Sequence, residues 1–358
     1  GFMTTPCKAQ ISNPLKMTLA GKITAEEIKA QIWALGRGKT ADTDGFVGEV
    51  FQLDPDFWSE NLVDFMNDPP EEWQEGKLIH LFKNKGSPEK RDFYRPIAIL
   101  KIIFKLWSAI QADRIKKILL ETVTRWQFGY LPLCNCSDAI AVVDLLVRNI
   151  QNSSMSLSFL DMSRAFDTVV RRKIWGRLIQ LGCPKEWVQT LADGHAKTKL
   201  SNFMDGELGD PVPINVGVFQ GSPLSPLLWL IYQHAAHEDF LAKASASGVE
   251  GISFDGNATR FSDSELWAEK EQDMFRVYPD PSNVDPLLAI LYADDTVIVG
   301  SDLQQLELLQ NLFADVATDW GLTLNKGKTV VISREDAKRK NAVYLGSIIN
   351  VDGWCSPA

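Results

Sequence analysis

Adjacent carboxylates are the residues of this chain best placed to do chemistry. Asp294 and Asp295 stand between two apolar runs, Leu288-Ala289-Ile290-Leu291 and Thr296-Val297-Ile298-Val299. Two short β-rich runs joined by a tight polar connection predict a hairpin with both acids at its tip. Neighbouring acids repel, and neither has an opposite charge close by in sequence. The arrangement therefore costs stability unless a cation gathers there. Carboxylate oxygens suit magnesium or manganese. Aspartate is also common in turns, so an ordinary surface turn fits the same residues. A third acid, Asp161, ends the alternating run Ser156-Leu157-Ser158-Phe159-Leu160. If the strands are neighbours in one sheet, the acids meet at one edge. Such a cluster can hold two divalent metals about 3.5–4 Å apart, which activate a hydroxyl and stabilise a leaving phosphate oxygen.

The elements that must carry these acids follow from periodicity. Thr24 and Glu27 form a capping box ahead of Ile28 and Ile32, which predicts a helix ending at Gly36 or Gly38. Residues 1–20 show little periodicity and suggest a loose arm. Lys39 to Gly45 reads as a polar loop, and Phe51 to Met66 as one helix ended by Pro69-Pro70. Lys77 to Phe82 alternates like a strand, and Arg95-Pro96 favours extended backbone. Leu100, Ile103, Phe104, Trp107, Ile110, Ile115 and Ile118 mark a long amphipathic helix, with Lys101, Lys105, Arg114, Lys116 and Lys117 on its outer faces. Ser137 is a candidate cap for a helix to Asn149. A further helix passes Trp175 and closes at Gly182. Ile214 to Phe219 alternates like a strand, and a helix runs on from Pro226. Residues 245–285 read as a surface excursion rich in Ser, Gly, Asp and Pro. Asp302 or Ser301 caps the next helix. Leu322 to Ile332 and Ala342 to Ile349 read as late strands.

Composition sets bounds. The chain has 358 residues, 45% hydrophobic and 23% charged, which is an ordinary globular profile with room for two or three domains. No apolar run is long enough to span a membrane, and no signal-peptide pattern is present. Five scattered cysteines give no disulfide framework, and Cys134-x-Cys136 lacks a second ligand pair for zinc. An intracellular, reducing setting is expected, with nucleus and organelle not distinguished. The net charge of −9 argues against a polyanionic partner until its distribution is seen. Thr40 to Gly76 holds 11 acids and no Lys or Arg, whereas Lys77 to Lys117 holds 11 Lys/Arg against Glu89, Asp92 and Asp113. A basic surface is available beside an acidic one.

The order of motifs is more specific than any single one. FLDMSRAFD, GVFQGSPLSP, LYADDTVIVG, GLTLNKGKT and YLG follow one another, with NKG…FYRPI and QFGY upstream. In that order they resemble the reverse transcriptases, over roughly Ile23 to Gly353. Ala293 and the LSP of QGSPLSP resemble the non-LTR (LINE-type) retrotransposon branch, to which group II intron enzymes are also similar. The resemblance implies an α+β right hand of fingers and palm, with an antiparallel palm sheet backed by helices and the thumb absent or truncated. It implies an arm at 1–22 and a mostly fingers region at 23–155. It implies a first palm part at 156–232, an insertion at 233–286, and a second palm part with a primer-grip hairpin at 287–358.

The same resemblance assigns roles. Asp161 and Asp294, with the Met162 carbonyl, would hold Mg²⁺ or Mn²⁺. Asp295 would add negative charge and orient the primer end. Lys328 would protonate the leaving pyrophosphate, with a plain surface lysine as the alternative. Lys83 (or Lys85) and Arg95 would grip the triphosphate of a dNTP. Phe166 would pack under the sugar and exclude a 2′-hydroxyl, with a core aromatic as the alternative. Gln220 and Gly221 would flank the nucleotide. Gln127 and Gly129 would touch the template side, and Tyr344, Leu345 and Gly346 would form the primer grip. The implied partners are an RNA template, a DNA primer and dNTP, with no membrane.

Three features depart from the family. The stretch 40–76 is acidic, the segment from Gln233 to Asp285 is long, and the chain stops where a helical thumb should begin. No endonuclease, zinc knuckle or RNase H region is present, so a thumb or endonuclease would come from a longer parent chain or a partner protein. The competing expectation is a domesticated or degenerate retroelement fragment acting as a structural or nucleic-acid-binding subunit.

Overall fold

Alternating apolar residues become strands wherever a second strand can cover them. A computed structural model describes residues 9–68, 73, 75–84, 86–124, 126–132, 134–150, 153–204, 206–252, 287–334, 341–350 and 353–357. Within them the chain is α+β. The strands, in chain order, are β1 (Glu75–Phe82), β2 (Tyr94–Leu100), β3 (Ser156–Leu160), β4 (Met162–Ser163), β5 (Lys199–Met204) and β6 (Glu207–Pro213). They continue as β7 (Ala289–Tyr292), β8 (Asp295–Gly300), β9 (Thr323–Leu324), β10 (Val330–Ile332), β11 (Ala342–Tyr344), β12 (Ser347–Asn350) and β13 (Gly353–Pro357). The surface excursion expected at 245–285 lies outside the described residues from 253 onward.

The chain divides into two compact units: Gly1–Ala9 with Leu119–Ala165 and Leu230–Ala358, and Gln10–Ile118 with Phe166–Trp229. The first unit holds the sheet β10-β3-β8-β7, antiparallel throughout, together with β11-β12-β13 and the short pair β4-β9. All five β3 residues and five of the six in β8 are buried, so this sheet is covered on both faces. The helix Cys136–Ile150 packs Ala139, Val143, Leu146 and Val147 into one core with Phe159, Val297, Ile332 and Tyr344. Its cap is Asn135, whose side chain accepts from Asp138 N–H while Asp138 accepts from Asn135 N–H. Ser137 is therefore inside the helix.

The second unit holds the sheet β2-β1-β5-β6, in which β1 and β5 run parallel. Its core is aromatic: Trp73, Phe104 and Trp107 meet edge-on or stacked, and His195 closes the cluster. Several sequence expectations change here. The loose arm contains a helix, Asn13–Ala20, capped by Ser12, with Leu15 and Leu19 buried. Only two inward positions made it invisible to periodicity. The single helix expected over 51–66 is two, Gly48–Leu53 and Pro55–Asn67, because Pro55 opens a helix rather than continuing one. The helix Ile102–Thr122 is buried around most of its circumference. Arg114 on it is 4% exposed, and its fork meets both Glu27 carboxylate oxygens. It is not a solvated cation. Ile214 to Phe219 is not a strand; the ladder stops at Pro213. Leu322 to Ile332 is two short strands around a 3₁₀ turn, Lys326–Lys328.

Candidate active site

The hairpin tip is tighter than an Asp-Asp turn. Tyr292 pairs with Asp295, so Ala293 and Asp294 are the two connecting residues and Asp295 already belongs to β8. Ala293 takes φ +54°, which costs a non-glycine residue about 1–2 kcal/mol. The surroundings hold it there. Leu291 N–H donates to Trp126 O and accepts at its own carbonyl from Phe128 N–H, both at 2.8 Å. A Cβ on Gly129 would sit 2.4 Å from Ala293 N, so only glycine allows this approach. Gln127 Oε1 accepts from Gly129 N–H at 2.7 Å, and its Nε2 donates to Gln233 at 2.8 Å. Gln127 is 1% exposed. Expected as template contacts, Gln127 and Gly129 are buried braces of the turn, because their polar groups are spent on the protein itself.

β3 pairs with β8 through Leu160↔Thr296. Asp161, one residue further along, therefore lies beside the start of β8. Its carbonyl accepts from Asn325 N–H at 2.8 Å. Its carboxylate accepts from Lys328 Nζ at 3.1 and 2.9 Å, one contact to each oxygen. Lys328 stands on the 3₁₀ turn whose N–H returns to Asn325 O. Asn325 thus sets both ends of the pair. Both partners are partly solvated, so the ion pair adds little stability; its importance is positional.

The electrostatics are those of a site with surplus negative charge. Burial raises the Asp294 pKa above the ordinary aspartate value, the charge on Asp161 raises it further, and Lys328 opposes both. Asp295 is pushed up to about 6, by burial first and then by Asp294 and Asp161. Carboxylates that disfavour each other's ionisation are relieved by a cation. The oxygen-only donor set suits a hard divalent ion. Among the described residues no group of three or more His, Cys, Asp and Glu could hold an ion alone. Asp161 and Asp294 therefore fit the kind of site that takes one or two carboxylates and completes its shell with water and substrate phosphate. Met162 sits in β4 opposite Leu324, with its side chain buried.

The other unit carries a second set. Lys83 follows β1 with its N–H on Phe93 O at 2.8 Å, and Arg95, exposed on β2, pairs with Leu81. Lys85 lies outside the described residues. Phe166 is half-buried and stacks on Trp229, centroids 5.7 Å apart and planes 19° apart. Gln220 O accepts from Ala98 N–H at 2.7 Å. Gly221 has φ +120°, and a Cβ there would meet Ala98 O at 2.3 Å. That loop is thus docked on β2 by a position only glycine can occupy.

The late hairpin turns at Leu345 (φ +50°) and Gly346 (φ +77°). Tyr344 is a correction. Expected at a primer contact, it is 3% exposed and packs on Phe159 at 5.8 Å. Burial and the Asp295 charge raise its phenol pKa. Its large apolar ring sits against β3, leaving Gly346 as the exposed tip. Lys328, for which a plain surface lysine was the alternative, pairs with Asp161. Sequence reading missed Asn325 and Gln233. The Asn-Lys-Gly turn is a signal for the first, and nothing local marks the second.

Two acids thus sit at the ends of adjacent antiparallel strands, one of them, Asp161, paired with a lysine, on an α+β scaffold. Residues 83–349 match the family described as reverse transcriptase (RNA-dependent DNA polymerase), and the chain belongs to that family. It is similar to the transposon TX1 149 kDa protein of Xenopus laevis, 25% identical over 310 residues, covering 84% of this chain and 21% of that protein. It is similar to the Pol polyprotein of the type-2 retrotransposable element R2DM of Drosophila melanogaster, 29% identical over 174 residues, 47% of this chain and 16% of that one. The RNA-directed DNA polymerase from the Drosophila melanogaster mobile element jockey is 24% identical over 233 residues, 62% and 25% respectively. These relatives place the chain in the non-LTR (LINE-type) branch. The chain spans between a sixth and a quarter of their lengths. No helix among the described residues is long and apolar enough to cross a membrane.

Proposed function

We propose that this chain is the polymerase part of a retrotransposon protein, an RNA-directed DNA polymerase that extends a primer 3′ end with deoxynucleotides on an RNA template. The observation that carries the reading is the convergence of Asp161, Asp294 and Lys328 at one sheet edge, with burial and then the charge on Asp161 raising the proton affinity of Asp294. Asp161, Asp294 and the Met162 carbonyl would hold Mg²⁺ or Mn²⁺. The bound ion would supply Lewis-acid activation of the primer hydroxyl and charge neutralisation at the phosphates. Asp295 orients the primer end. Lys328, freed from Asp161, delivers a proton to the leaving pyrophosphate oxygen.

Lys83 gives the triphosphate a mobile point charge and Arg95 a planar fork. The Phe166 ring underlies the sugar, and Gln220-Gly221 lies against the base pair. The Leu345-Gly346 tip meets the primer. In this reading the β10-β3-β8-β7 sheet is the palm and the β2-β1-β5-β6 sheet belongs to the fingers. The division is an arm at 1–22, fingers mostly at 23–155, palm at 156–232 and 287–358, and an insertion at 233–286. The setting is intracellular.

Primer extension on an RNA template with Mg²⁺ or Mn²⁺ tests this, wild type against Asp294→Asn. Loss of a ligand carboxylate should slow extension roughly a thousandfold, about 4 kcal/mol of barrier. Equal extension by the two proteins would overturn the reading.

A further inference from the structure

Segment 214–219 runs between β6 and the Gln220-Gly221 loop with no strand ladder to hold it. A buried arginine takes the ladder's place. Arg171, 8% exposed at the start of the helix Arg171–Gln180, donates from Nε to Gly217 O at 2.7 Å. Its Nη1 donates to Ile214 O at 2.9 Å and to His195 O at 2.7 Å. The guanidinium lies over the Phe219 ring, 5.1 Å from its centroid. Phe219 in turn lies parallel to His195, with planes 2° apart.

The same segment is tied to the turn that carries Phe166. Val218 N–H donates to Phe166 O at 2.8 Å and Gly217 N–H to Val169 O at 2.9 Å. Gly217 has φ +81°, and a Cβ there would strike Asp167 O at 2.7 Å. All three acceptors of Arg171 are main-chain carbonyls, so the hydrogen bonds of a buried charge go to backbone position. Without the guanidinium those carbonyls would lose their donors.

We propose that Arg171 is a positioning residue that fixes the spacing between the Phe166 ring and the Gln220-Gly221 loop, and so sets the fit of the deoxynucleoside triphosphate. This rests on the reading of Phe166 and Gln220 as nucleotide contacts. Arg171 itself touches no substrate group. Lysine carries the charge but not the fork, so Arg171→Lys is the graded variant and Arg171→Gln the full loss.

The test has two arms. In steady-state primer extension, Arg171→Gln should raise the dNTP KM about tenfold, with kcat within threefold and primer–template affinity within twofold. Its preference for dNTP over rNTP should fall at least fivefold, and Arg171→Lys should lie between. In hydrogen exchange, the 214–221 amides should exchange at least tenfold faster in both variants, while 156–160 stays protected. If Arg171→Gln does not fold, Arg171→Lys and Phe219→Leu carry both readouts. Exchange at 214–221 unchanged overturns the proposal whatever the activity. Accelerated exchange in the variants, with a wild-type chain that extends no primer, sinks the polymerase reading and leaves Arg171 as the anchor of the segment. KM and sugar preference unchanged in an active, folded variant overturns the nucleotide-fitting role.

Discussion

At the scale of single residues, the site is a balance of like charges with one cation beside them. Asp295 shows the sign. Its folded pKa of about 6 lies above the ordinary aspartate value, so the folded chain holds the proton more tightly than the unfolded one. Stability is therefore full below pH ~4 and falls as pH rises through 6. In EDTA, Asp295→Asn should match wild type in thermal midpoint near pH 4 and exceed it at pH 7.5. Allowing for partial solvation, the gain should be about 1 kcal/mol, or roughly 2 °C. A midpoint difference that does not change with pH would show that Asp295 carries no repulsion. Asp161 and Asp294 were legible in the sequence as acids at strand ends. The pairing of Asp161 with Lys328 needed the 3₁₀ turn at Lys326–Lys328, which brings together residues 167 positions apart.

Elements act by holding strained or orphaned backbone. Gly129→Ala would push a methyl into Ala293 N, and the hairpin tip has no slack, since Leu291 is bonded on both sides. We expect a loss of about 1–3 kcal/mol in urea midpoint and a larger loss in primer extension, because the displaced group carries Asp294. A second device sits in the loop read as plain and polar. Asp42 is 6% exposed, and its carboxylate accepts from Asp44, Phe46 and Ile102 N–H at 2.9–3.0 Å. It caps the helix Ile102–Thr122 from outside. Asp42→Ala should cost about 2 kcal/mol, whereas Asp42→Asn, which keeps an acceptor, should cost less. Equal costs from the two variants would rule out capping.

For the molecule as a whole, the question is how an acidic chain approaches a polyanion. Charge is segregated, with acids on 40–76 and cations on 77–117. Binding to primer–template should therefore weaken steeply with salt, with a log–log slope of about −0.7 to −0.9 per phosphate contacted. Replacing the exposed Glu60 and Asp64 by Gln and Asn should tighten binding a few-fold at 50 mM salt and leave it unchanged at 0.5 M. A fluorescence-anisotropy salt series decides this; a flat series would exclude phosphate tracking. The Arg114–Glu27 pair belongs to this scale too. It joins the helix Ala25–Trp33 to the long helix.

The sequence by itself determined the hairpin, the strand ending at Asp161, the Thr24–Glu27 capping box and the order of motifs, because each rests on neighbours within a few residues. It could not separate an exposed contact from a buried brace. Gln127, Gly129, Tyr344 and Arg114 were all read as outward or substrate-facing, and all are buried. A polar or aromatic residue points inward only when a distant partner satisfies or covers it, as Gln233, Ala293, Phe159 and Glu27 do here. Tertiary structure alone decided those pairings. It also decided that Asp294 ends a two-residue turn whose backbone is held by residues 126–129, since that strain and its support come from segments far apart in the chain.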